Sequence, residues 1–109
     1  MTTKSDTSLT MNKDSNRNYS LVKGAFTADE AREVLMALIE SKITFHSLKN
    51  LRSFEQSGET DSKSKKRIEE LENMREEMLE LIKQARKTGF QLQIKSTIDI
   101  TIADNSSNA

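Results

Sequence analysis

The sequence predicts an α+β chain in the order β-α-α-β, with a long antiparallel helical hairpin and a small antiparallel sheet. Three observations carry this. A capping sequence at Thr27 opens a stretch with no helix breaker before Ser57-Gly58. Apolar residues at three- and four-residue steps run from Ile68 to Ala85. Strict alternation then fills the C-terminal segment from Phe90 to Ile102.

The first strand is expected over Tyr19–Phe26. Tyr19 and Leu21 alternate with Ser20, whereas Val22 and Phe26 fall on the other face, and Gly24 weakens the strand or marks a bulge. Thr27-Ala-Asp-Glu30 has the capping-box arrangement, and Asp29 and Glu30 suit the positive end of a helix dipole. A helix of that length is a rod of roughly 45 Å, which needs a partner along its length. Asp61 or Ser62 can cap the second helix, whose stripe is Ile68, Leu71, Met74, Met78, Leu81, Ile82 and Ala85. Lys83, Arg86 and Lys87 suit its last turn, and Gly89 suits the left-handed residue that ends it. In the last segment Phe90, Leu92, Ile94, Ile98, Ile100 and Ile102 lie on one face, with Ser96 as the one polar member of that row. A bend or a hairpin at Ser96 is conceivable. A helical hairpin brings the ends of the two strands together, so they pair as antiparallel neighbours.

The chain has 109 residues, with 17 Lys and Arg against 17 Asp and Glu and no net charge. A large basic field that grips nucleic acid or a membrane surface is therefore not expected. Residues 1–18 and 104–109 are small and polar and are expected to form mobile tails around a single domain at 19–103. No apolar core of a secretory signal is present, and the longest apolar run, Val34–Ile39, is far short of the roughly 20 residues of a membrane span. The expected location is the cytoplasm.

The absence of cysteine excludes disulfides and thiolate chemistry, and one histidine excludes a multi-histidine metal site within one chain. Gly24, Gly58 and Gly89 fit no phosphate-binding fingerprint, and the Glu69/Glu70 and Glu76/Glu77 pairs fall on a solvated helix back. No catalytic residue, cofactor or metal is implied, and the protein is not expected to be an enzyme.

Lys42, His46 and Lys49 stack along one side of the first helix and could hold an anionic small ligand; the plainer reading is that their stems cover apolar surface. Arg75 and Arg86 edge the stripe of the second helix. Lys63, Lys65, Lys66 and Arg67 form a basic cluster that could contact nucleic acid or a ribosome, although no aromatic residue interleaves with it to stack bases. Phe26-Thr27-Ala-Asp-Glu-Ala31 and Lys42–His46 look like stretches of many small bacterial proteins and specify no family.

The apolar arc of the first helix is wider than one partner helix needs. It holds Val34, Phe45, Leu38, Ala31, Leu35, Ile39, Ile43 and Met36. A two-stranded sheet is marginal alone, and its free edge invites pairing. The expected function is therefore a non-catalytic homo-oligomeric protein-interaction or scaffold module, a dimer first. Its interface would draw on Ile39, Ile43, Ile94, Ile98, Ile100 and Ile102. The alternatives are a nucleic-acid or ribosome-associated factor and an anionic-ligand-binding dimer.

Overall fold

Thr27 starts the longest element of the chain by exchanging two hydrogen bonds with Glu30. The Glu30 amide donates to Thr27 Oγ1 at 3.2 Å, and the Thr27 amide donates to Glu30 Oε1 at 3.0 Å. Two orphan donors of the first turn are thereby satisfied. In the computed structural model, which describes residues 16–103, the elements are β1 (Asn16–Phe26), α1 (Ala28–Ser57), α2 (Ser62–Thr88) and β2 (Leu92–Thr101). The β-α-α-β order is as the sequence predicts, and the two strands form a two-stranded antiparallel sheet.

Both helices stop at a glycine. Gly58 (φ 80°) and Gly89 (φ 76°) adopt the left-handed conformation and donate to the carbonyls of Phe54 and Ala85. Asp61 restarts the helix by accepting from the Lys63 amide at 3.1 Å. Between them the turn is tied to α1: Ser53 Oγ donates to the Glu59 carbonyl at 2.8 Å, and the Asp61 amide donates to Asn50 Oδ1 at 3.0 Å.

The strands differ from expectation: β1 is longer, and β2 spans Leu92–Thr101, so Phe90 and Ile102 lie outside it. β1 begins at Asn16 rather than Tyr19, and Thr101 Oγ1 donates to Asn16 Oδ1 at 3.3 Å, so pairing across the ribbon carries the strand further than apolar alternation alone signals. β2 is continuous through Ser96, with neither a hairpin nor a break there. The residues assigned to tails at 1–15 and 104–109 lie outside the described residues.

The chain divides into two compact units. The first contains residues 16–24 and 95–103, a two-stranded ribbon. The second is Ala25–Ile94, the helical hairpin with the adjoining strand ends. The core of the second unit is built from Ala28, Ala31, Ile82 and Ala85, with Phe26, Leu35, Leu79, Leu92 and Ile94 packed round it. Farther along, Ile39 and Leu71 are also buried.

Candidate functional site: a polar lock at the hairpin tip and exposed apolar faces

The histidine of the predicted cationic row is half-buried and meets α2. His46 Nδ1 lies 3.3 Å from Ser64 Oγ, and Ser64 Oγ lies 3.2 Å from Asp61 Oδ2. The single hydroxyl proton of Ser64 goes to the carboxylate, so the hydroxyl accepts from His46, which carries its proton on Nδ1. Ser64 is 2% exposed. The chain Asp61–Ser64–His46 joins the first turn of α2 to the middle of α1, and Asn50 adds the bond to the Asp61 amide.

These are the residue types of a catalytic triad in the wrong order. A triad needs the imidazole between carboxylate and hydroxyl, with the hydroxyl open to a substrate. Here the hydroxyl sits in the middle, gives its proton to the carboxylate and is buried. The arrangement holds two helices together.

Asp61 also explains the cationic row. Burial pushes its carboxyl up, but hydrogen bonds from the Ser64 side chain and from the Lys63 and Ser64 amides, with the charge of Lys49, prevail and hold it below the ordinary carboxyl value. Lys49 thus acts on a carboxylate of its own chain. Lys42 Nζ lies 5.3 Å from the centroid of the Phe45 ring, which meets the His46 ring edge-on at 5.1 Å. Lys42 and Lys49 are exposed, and His46 is half-buried.

In the basic cluster, Lys63, Lys65 and Lys66 are exposed, and Arg67 pairs with Glu70 at 3.0 Å. Arg75 and Arg86 reach across the hairpin to α1, Arg75 to Glu40 at 4.0 Å and Arg86 to Asp29. Among the described residues, no group of three or more His, Asp or Glu side chains could hold a metal ion. No helix of the described residues is long and apolar enough to cross a membrane.

An open groove of about 860 Å³ runs along the base of the hairpin. Met36, Ala37 and Leu79 contribute its apolar lining, and Glu33, Glu40 and Arg75 are among its charged residues.

The predicted interface residues separate into three kinds. Ile39 is 5% exposed inside the hairpin, so it offers no surface to a partner; it faces inward on the stripe that also carries Ala31 and Leu35. Ile43 and Ile94 are half-buried, Ile94 against the hairpin core. Ile98, Ile100 and Ile102 are exposed, and Tyr19 and Leu21 in β1 are exposed with them. On α1, Phe45, Leu48, Leu51 and Phe54 are exposed as well.

Sequence reasoning missed Asp61, Asn50 and Ser64 as a network, because their contacts span two helices. Leu48 and Leu51 did leave a signal: they continue a heptad spacing from Val34 that the single broad arc obscured. No family model, curated protein or solved structure matches the chain.

Proposed function

We propose that this chain is a non-catalytic, homo-oligomeric protein-interaction module whose two-stranded ribbon meets the ribbon of a second copy. The observation that carries the reading is the exposure of Tyr19, Leu21, Ile98 and Ile100 on one pair of strands, with Ile102 exposed just beyond β2, between 39% and 54% each. A two-stranded ribbon is marginal in water without a covered face. Four large apolar side chains on so short a sheet, with Ile102 beside them, make a joining surface, since burying each removes apolar area from water at about 25 cal/mol per Å². The balanced charge favours such contact by leaving little net repulsion between copies.

Sedimentation equilibrium at tens of micromolar tests this. The wild-type chain is expected above monomer mass, and Ile98→Lys/Ile100→Lys is expected at lower mass with its helical signal intact. Wild-type protein running as a monomer across that range overturns the proposal.

A further inference from the structure

Resting on the ribbon reading above, we infer that the two ribbons join edge to edge. β2 of one copy pairs antiparallel with β2 of a second copy about a two-fold axis at Thr97, which makes one four-stranded sheet in the order β1-β2-β2-β1.

The first argument is the open edge. The sheet has two strands, so β2 has one partner among the described residues, and its other edge presents unpaired backbone N–H and C=O groups. β2 contains no proline that would block pairing, and residues 97–101 are all exposed. Two strands are marginal in water, whereas three or more with an apolar face are stable. Joining two β2 edges supplies four.

The second argument is the sidedness of the ribbon. Thr101 Oγ1 donates to Asn16 Oδ1, so these two side chains share a face. Alternation then puts Lys95, Thr97 and Asp99 on that face, and Tyr19, Leu21, Ile98 and Ile100 together on the other. A two-fold axis perpendicular to the sheet keeps each face on its own side. The joined sheet therefore gathers the same four apolar side chains from each copy onto one surface.

The third argument is charge, which sets the register. Pairing about Thr97 places Lys95 opposite Asp99 of the second copy and, by symmetry, Asp99 opposite its Lys95. Thr97 meets its own copy. Opposite charges and paired threonines are both favourable across strands. Lys95 and Asp99 are exposed, and at about 13 Å apart along the strand they do not satisfy each other. The part of β1 on the same face offers Asn16, Asn18, Ser20 and Val22, none of them charged. Moving the axis to Ser96 or Ile98 would set Lys95 opposite Thr97 or Thr101 instead. The β1 edge lacks such complementarity: β1 carries Arg17 and Lys23 and no acid, so joining two β1 strands would gather four cations.

Charge reversal tests the register by sedimentation equilibrium, with the helical signal as the check on folding. Lys95→Asp and Asp99→Lys each set like charges opposite one another twice, and each alone is expected to self-associate about tenfold more weakly than wild type. A one-to-one mixture restores both pairs and is expected to give a heterodimer near wild-type affinity. The chain has no cysteine, so a single introduced thiol reports the axis. Thr97→Cys is expected to give a covalent dimer with a short bismaleimide. Ser20→Cys is not, since its two copies lie about 14 Å apart, three strand spacings. An oligomeric wild type with both charge variants unweakened, or a mixture that fails to recover, overturns the edge contact and leaves the ribbon reading standing. Cross-linking of Ser20→Cys as readily as Thr97→Cys does the same. A monomeric wild type removes both.

Discussion

His46 Nδ1 and Ser64 Oγ lie 3.3 Å apart, joining side chains from the middle of α1 and the first turn of α2. The contact sets which residues lie level across the hairpin near its tip, because Ser64 is bound in turn by the Asp61 that caps α2.

Ser64→Ala is expected to lower unfolding free energy by about 1–3 kcal/mol, since it strips partners from His46 and Asp61 in a partly buried setting. Urea denaturation of Ser64→Ala, His46→Ala and the double variant measures the coupling. Additive losses would show that the two side chains do not act together.

Asp61 predicts an acid dependence. Its carboxyl is held below the ordinary value in the folded chain, so the charged form is favoured by folding. The associated stability is fully present above the unfolded carboxyl pKa and disappears as pH falls through the lowered folded value. Asp61→Asn is expected to show a shallower loss of stability over that acid window than the wild type, read by denaturant midpoints at a series of pH values. Parallel curves for the two proteins would contradict this.

Adjacent residues of α2 separate packing from surface. Ile82 is 2% exposed in the base core, and Leu81 is 56% exposed. Ile82→Ala is expected to cost about 2–5 kcal/mol. Leu81→Ala is expected within about 0.5 kcal/mol of wild type. Thermal or chemical denaturation of the pair distinguishes them, and similar losses would mean that Leu81 is covered.

Gly58 and Gly89 both hold a positive φ, and a Cβ added at either meets nothing within 4 Å. The cost of alanine there is therefore backbone strain alone, about 1–2 kcal/mol. Gly58→Ala and Gly89→Ala are expected to show similar losses in urea midpoint without change in slope. A much larger effect at one site would point to a steric clash that the structure does not contain.

The order of elements, both helix starts and both glycine stops were determined by the sequence, because they rest on local chemistry. Thr27 meets Glu30 three residues away, Asp61 meets the Lys63 amide two residues away, and Gly58 and Gly89 mark positions that most side chains avoid. The alternation of β2 likewise signals a strand wherever it lies. Contacts between distant segments were decided by tertiary structure. The sequence could place His46 and Lys49 on one side of α1, but only the fold brings Ser64 and Asp61 to them and turns a cationic row into a lock. It likewise takes Ile39 into the hairpin while leaving Leu48 and Leu51 in water. Periodicity marks which residues share a face of a helix, and packing settles which face is covered.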